Sequence, residues 1–331
     1  MKVVFFQRKP RPNKNFSIEI LFEQIRAHLP KEIITVTEIA KYYSEGFFKR
    51  LYIIFDAITK QGDVNHVTGD ITFVTYFLKK KKTVLTILDL GLMNHPNPIL
   101  RKVLQVFWVQ LPVKRAGYIT TISVATKTEL LKFVNVDEKK IRVLYIPVAD
   151  LMEYTPKSFN TSKPTILQIG TKENKNLIRL AQALKGINCK LSIVGVLTEK
   201  QLTTLKENNI DYTNAVNISN EALKQQYENA DMLAFVSTYE GFGMPIVEAQ
   251  IVGRPVITSD LLSMPEVAGG AAHLVDPYSI EEIKNGVLQI IEDATYRDTL
   301  IEKGRNNAVR FSVETISKQY AELYRNILKA N

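Results

Sequence analysis

Short apolar runs of strand character alternate with helix-like segments along the whole 331-residue chain, and this alternation leaves few folds open. Strand–helix–strand succession favours α/β layers around a mostly parallel sheet, because parallel neighbours need a crossover between them. In the first half, residues 3–6, 33–36, 64–67, 83–88, 118–122 and 141–146 read as strands. Residues 17–28 read as a helix with apolar side chains at Ile18, Leu21, Phe22 and Ile25, capped by Asn15 or Ser17, and 126–133 as another. Residues 148–163 are polar, contain Pro156 and lack periodicity, so they read as a linker. A second series follows, with strands at 164–169, 191–194, 232–236 and 255–258 and helices at 177–184, 220–228, 245–252, 280–293 and 315–329. The pattern predicts an α/β protein of two Rossmann-like parallel-sheet domains, 1–155 and 156–310, facing a central cleft. Residues 311–331 would form a C-terminal helix packing back toward the first domain. Ligands in such sheets bind beyond the carboxyl ends of the strands.

Composition narrows the partners. The formal charge is +9, unevenly spread: residues 1–150 carry 24 basic and 13 acidic side chains, the remainder 19 and 21. A basic first half suits an anionic partner such as a membrane surface or a phosphorylated acceptor. Phe47-Phe48-Lys49-Arg50 and the stretch 99–115, with Trp108, mix apolar and basic residues, as surface-lying or core-packed helices do. The run of lysines at 79–82 reads as a solvated turn. A nucleic-acid binder would need its basic residues gathered with exposed aromatics, and none is expected here. Cys189 is the one cysteine, so neither an internal disulfide nor a thiolate metal site is available, and the cytosol is the expected compartment, with peripheral contact at the inner membrane face. The apolar run at the start turns basic by Arg8 and reads as a buried strand rather than a signal peptide. No stretch of about 18 apolar residues occurs, so no spanning helix is expected.

The most informative stretch is Ser237-Thr238-Tyr239-Glu240-Gly241-Phe242-Gly243-Met244-Pro245-Ile246-Val247-Glu248-Ala249. It follows an expected buried strand and so lies at a carboxyl edge. Gly241 and Gly243 permit a tight turn and close backbone approach to a ligand. Pro245 suits the first helical position, where its missing N–H costs nothing. The helix start offers N–H groups and the positive end of a dipole to an anion. Glu248, one turn in, suits the paired hydroxyls of a ribose, and Glu240, before the glycines, those of a second sugar. Tyr239 and Phe242 read as packing residues. His66, His95 and His273 fall near expected strand ends or loops, and no spacing of His, Asp or Glu suggests a metal site. No Gly-x-Gly-x-x-Gly follows the first strand of either half, which argues against a dinucleotide oxidoreductase.

The segment resembles the Glu-x7-Glu motif of retaining glycosyltransferases of family 4, which have the GT-B fold. Gly253-Arg254-Pro255-Val256-Ile257-Thr258-Ser259, Met264-Pro265-Glu266-Val267-Ala268-Gly269-Gly270 and Leu274-Val275-Asp276-Pro277 follow that family's order. So do Ile169-Gly170-Thr171, Lys175-Asn176-Leu177 and the passage from Leu223 to Ala230-Asp231. Looser likeness runs through Ser123, Thr126-Lys127, Lys140-Ile141-Arg142-Val143 and Pro147, so that it covers about residues 60–330.

The resemblance implies a hexosyltransferase acting from a UDP- or GDP-linked sugar, without a cofactor, on a glycan or lipid-linked acceptor in cell-envelope or exopolysaccharide synthesis. It implies that Glu248 holds the ribose, that Glu240 holds the transferred sugar, and that Gly241, Phe242, Gly243 and Met244 present amides to the diphosphate and sugar. Lys175 matches the lysine that neutralises the diphosphate. The family's arginine after Gly170 is replaced by Thr171, with Lys172 next as a point charge. The loop near Asn217 is where the family seats the base. Leu88 stands where the family often has a histidine, and Asp89 beside it either faces the reacting sugar or braces its loop. The loop 9–15 is proline-rich and basic where the family's is glycine-rich. Leu88 keeps open a non-catalytic nucleotide-sugar-binding protein, and a sugar-nucleotide epimerase of related architecture is a third alternative.

Overall fold

The computed structural model describes residues 1–10, 17–148 and 151–330; Asn15, the side chain of Ser17 and most of the loop 9–15 lie outside this set. The chain forms two compact units, Met1–Pro147 with Val313–Asn331, and Val148–Ser312.

The first unit is built on a parallel sheet of β1 (Lys2–Gln7), β2 (Ile34–Ile39), β3 (Val64–Val67), β4 (Thr83–Ile87), β5 (Tyr118–Thr121) and β6 (Ile141–Val143), in the order β2-β1-β3-β4-β5-β6. Strand side chains alternate between faces, and β1 shows the consequence. Val3 and Phe5 pack with Phe22 and Ile25 of the helix Ser17–Ala27 and with Tyr320, Tyr324 and Ile327 of the C-terminal helix Val313–Lys329. Val4 and Phe6 join the other core, with Ile53, Ile54, Val109 and Val113. The C-terminal helix thus shares with Ser17–Ala27 the cover of one face of this sheet. Because its apolar residues recur at Ile316, Tyr320, Leu323, Tyr324 and Ile327, one stripe is buried over its full length.

His66 falls near a strand end, as expected, one residue short of the end of β3. It lies inside β3, fully buried, with Nδ1 2.7 Å from the Tyr324 hydroxyl and Nε2 2.7 Å from Thr86 Oγ1. Burial, with a smaller contribution from the Arg26 cation, pushes its pKa down to about 3, so it stays neutral in the folded unit.

The second unit carries β7 (Thr165–Ile169), β8 (Lys190–Val194), β9 (Tyr212–Ala215), β10 (Met232–Phe235), β11 (Val256–Ser259) and β12 (His273–Val275), all parallel, in the order β12-β11-β10-β7-β8-β9. Ile166, Leu191, Ile193, Met232, Ala234 and Ile257 form its core with Leu177, Leu180, Ile283 and Val287 from flanking helices. The strand order reverses between β7 and β10, which makes the carboxyl ends of those two strands the switch point of this sheet.

The units divide at 147/148, not at 155/156, and the segment expected as a linker is pinned to the second unit. Val148 N–H bonds to Phe311 O, and Thr155 N–H to Val252 O at 3.3 Å. Arg254 Nη1 donates to Thr155 O at 2.8 Å. Asp231, almost completely buried, accepts from Asn160 N at 3.1 Å and Thr165 N at 2.7 Å and pairs with Lys157. Polar composition without periodicity marked the segment as irregular, but its backbone groups are satisfied by buried side chains that no local pattern reveals. Asp231→Asn keeps the volume but turns an acceptor into a donor facing N–H groups. It is expected to destabilise the second unit by about 2 kcal/mol, read as a lower urea midpoint by circular dichroism. An unchanged midpoint would mean that the segment holds without it.

No helix among the described residues is long and apolar enough to cross a membrane.

Candidate active site

The switch point of the second sheet gathers the charged residues singled out in sequence. β7 ends at Ile169 and is followed by Gly170, whose φ of +87° suits glycine. A Cβ there would sit 3.0 Å from Lys175 Cε and 3.1 Å from its Cγ, so the missing side chain gives Lys175 its path. A single helical turn, Glu173–Lys175, carries that lysine, and Asn176, at φ 60°, opens the helix Leu177–Ala183. Asn176 is buried and donates to Val236 O at 3.0 Å and Pro277 O at 2.7 Å, which ties the β7 loop to the chain leaving β10.

From the β10 side comes Glu240. Its Oε1 lies 2.6 Å from Lys175 Nζ and 3.3 Å from Asn174 Nδ2, and Lys175 Nζ also sits 4.5 Å from the centre of the Phe235 ring. The pair is mostly screened from solvent, with side-chain exposures of 18% and 15%. Three further bonds fix the loop: Asn174 Nδ2 donates to Tyr239 O at 2.8 Å, and Ser263 Oγ donates to Glu240 O at 3.0 Å and Phe242 O at 2.8 Å. Phe242 is buried and meets Phe311 edge-on at 5.5 Å, so its ring packs while its backbone stays in the loop.

Of the two glycines in this turn, only Gly243 is left-handed, at φ 108°, as the residue that starts the helix Met244–Val252. Among the described residues no side chain caps that start, and Pro245 lies in its first turn. The helix is buried on all sides, which carries Glu248 inward. The Tyr227 hydroxyl donates to Glu248 Oε2 at 2.5 Å. Burial raises the Glu248 pKa, opposed by the Tyr227 hydrogen bond and by the Lys175 charge. Lys175 thus pairs with Glu240 and its charge also reaches Glu248, whereas Tyr227, Asn174 and Ser263, which hold these residues, carry no motif of their own.

The remaining candidates are placed as follows. Thr171 spends its hydroxyl on Val196 O at 2.6 Å and its carbonyl on Gln201 Nε2 at 2.7 Å, bracing the β7 loop against the β8 loop. Lys172 is exposed just beyond it. Asn217 is exposed and left-handed at φ 54°, two residues past β9, which lies two strands, or about 10 Å, from β7. In the first unit, Leu88 and Asp89 follow β4; Leu88 is half-buried, and Asp89 Oδ1 accepts from Gly91 N at 2.9 Å, bracing its own turn. His273 donates or accepts at the Tyr296 hydroxyl, 2.9 Å away. No group of three or more His, Cys, Asp or Glu among the described residues is placed to hold a metal ion.

The chain has known relatives. Residues 154–307 match the family model described as glycosyl transferases group 1. The chain is similar to the O-antigen chain mannosyltransferase B of Escherichia coli, with 29% identity over 235 residues that cover 63% of this chain and 61% of that protein. It is similar also to the O-antigen chain mannosyltransferase RfbU of Salmonella typhimurium, with 27% identity over 207 residues, 60% of this chain and 57% of that one. The chain therefore spans about three fifths of the length of these two relatives. Among solved structures it resembles Anabaena Alr3699/HepE in complex with UDP and glucose, with a TM-score of 0.76 at 17% identity over 98% of this chain and all of that one. It also resembles the sucrose-phosphate synthase of Thermosynechococcus elongatus, with a TM-score of 0.78 at 18% identity over the full length of both. The fold is GT-B.

Proposed function

We propose that this chain is a retaining glycosyltransferase of the family 4 type, which moves a hexosyl group from a UDP- or GDP-linked sugar to a hydroxyl of a glycan or lipid-linked acceptor. The O-antigen relatives favour cell-envelope polysaccharide as the setting. The observation that carries the reading is the joining, at the β7/β10 switch point, of Lys175 and Glu240 with an uncapped helix start and the buried Glu248. In this reading the diphosphate lies at the start of the helix Met244–Val252, where amides and dipole favour an anion. Lys175 exchanges part of its contact with Glu240 for the phosphate, which frees Glu240 to take hydroxyls of the transferred sugar. Glu248 Oε2 is already engaged by Tyr227, so the carboxylate is oriented before the ribose arrives. Departure of the nucleoside diphosphate builds charge on the leaving oxygen, and Lys175 with the loop amides stabilises it. The leaving phosphate takes the acceptor's proton on the face from which it departs, and no protein nucleophile takes part. The donor is a substrate, and the reading includes neither a resident cofactor nor a metal.

Leu88 favours a second reading, donor binding without transfer, because an aliphatic side chain has no hydrogen bond to offer a sugar hydroxyl. A thermal-shift panel of nucleotide sugars followed by assay of transfer and donor hydrolysis separates the two. Binding with neither reaction would leave the protein a receptor, and product sugar epimerised without acceptor would make it an epimerase.

Glu248→Ala removes charge-assisted hydrogen bonds to the ribose and leaves the Tyr227 hydroxyl buried without its acceptor. Donor affinity is expected to fall by about 10- to 100-fold, measured by calorimetry. Wild-type affinity in the variant would remove the ribose assignment.

A further inference from the structure

The first unit presents an apolar and basic face that the sugar chemistry does not use. On the helix Phe47–Ile58, Ile53, Ile54 and Ala57 are buried while Phe48, Tyr52 and Phe55 recur at i, i+4 and i+7 on the outward side. Phe47 is 68% exposed, Phe48 83% and Phe55 59%. A polar outer face is the rule for a helix on a soluble core, so an aromatic stripe there needs its own account. A second element behaves alike: the helix Pro98–Leu104 buries no residue, and Ile99 is 76% and Phe107, in the turn that follows, 47% exposed. The two elements adjoin, since the Arg50 guanidinium lies 4.7 Å from the centre of the Trp108 ring. Phe55 stacks on Phe77 at 6.4 Å, and the neighbouring Tyr76 hydroxyl bonds to Phe107 O.

We propose that this face docks on an anionic lipid bilayer, with Phe47, Phe48, Phe55, Ile99, Val103 and Phe107 entering the boundary between headgroups and acyl chains. Charge decides the occupant. No Asp or Glu occurs between Leu90 and Thr128, while Arg101, Lys102, Lys114 and Arg115 do. Lys49, Arg101 and Lys102 are exposed beside the apolar side chains, and Asp56, the one acid of the first helix, is paired with Lys60 at 2.8 Å. Two copies of so one-signed a face repel each other, whereas phosphate headgroups meet the basic rim as the apolar side chains leave water. A lipid-bound face would hold the enzyme beside a lipid-linked acceptor, but docking itself does not depend on the reaction.

The test is sedimentation of the full chain with phosphatidylcholine vesicles, pure or containing phosphatidylglycerol. Binding is expected to the anionic vesicles only and to weaken with salt. The double variant Phe48→Ser/Ile99→Ser, at two highly exposed positions, is expected to lose at least about tenfold in partitioning. Arg101→Gln/Lys102→Gln should lose about 25-fold, roughly fivefold per charge. Equal partitioning of either variant and wild type overturns the proposal, as does equal binding to neutral vesicles. A dimer in solution that Phe48→Ser/Ile99→Ser splits would overturn it in favour of a second copy. Unchanged circular dichroism spectra of both variants make a loss of binding attributable to the surface, and donor affinity measured in parallel keeps this result separate from the fate of the transferase reading.

Discussion

Lys175→Ala is expected to lower kcat/KM for sugar transfer by about 10²- to 10³-fold, the range seen when one preorganised group that stabilises a developing oxyanion is removed. The ammonium lies at the end of a path cleared by Gly170 and is held by Glu240 and the Phe235 ring, so it is placed before the donor binds. Preorganisation of this kind matters most as the leaving oxygen gains charge, and the loss should therefore fall mainly on kcat rather than KM. Lys175→Arg is a sharp companion. The side chain of Lys175 already passes within about 3 Å of where a Gly170 Cβ would be, and the broader guanidinium is expected not to restore the rate. A purely structural pair would give the opposite signature, lost thermal stability with kcat nearly intact. A drop in kcat/KM of less than about fivefold in Lys175→Ala would sink the assignment.

The strands were legible where they are central. β1, β4, β7 and β10 are buried and rich in Val, Ile, Leu and Phe, and their composition separates them from helices. β9 and β12, the outermost strands of the second sheet, were missed because Tyr212-Thr213-Asn214-Ala215 and His273-Leu274-Val275 are short and half-solvated. The helix Phe47–Ile58 was legible only in its first turn, because aromatic residues on its outer face erase the period that its buried isoleucines would otherwise set. Within the site, Glu240, Gly243 and Glu248 were singled out from residue order, since a glycine turn between a strand and a proline-started helix is a local pattern, whereas Lys175 came only from the family resemblance. Tyr227 and Ser263 were not, because each meets its partner 21 residues or more away and nothing local marks it. Gly241 shows the converse: its neighbour Gly243 alone takes the left-handed conformation.

The burial of His66 was illegible for a related reason, and it yields the second large prediction, one of stability. Asn65-His66 looks like the polar end of a strand, yet both residues are fully buried. An imidazole with a pKa near 6.5 in the unfolded chain and about 3 in the folded one binds its proton more readily when unfolded. Between those values the unfolded state therefore carries more protons, and folding stability rises with pH. Stability that is complete above about pH 6.5 should thus fall as pH drops, by on the order of 2 kcal/mol at pH 5 and about 4 kcal/mol near pH 3. Trp108, the single tryptophan, lies in the same unit and reports its unfolding by fluorescence without interference from the second. Urea midpoints are expected to decline from pH 7 to pH 5, a window in which most exposed carboxylates stay ionised, and His66→Gln should flatten that decline. Should the variant fail to fold, NMR of the wild-type ring decides the matter. An imidazole locked between the Tyr324 and Thr86 hydroxyls keeps its neutral chemical shift at pH 4.5, whereas one that titrates near 6.5 shows that the C-terminal helix does not seal it from water.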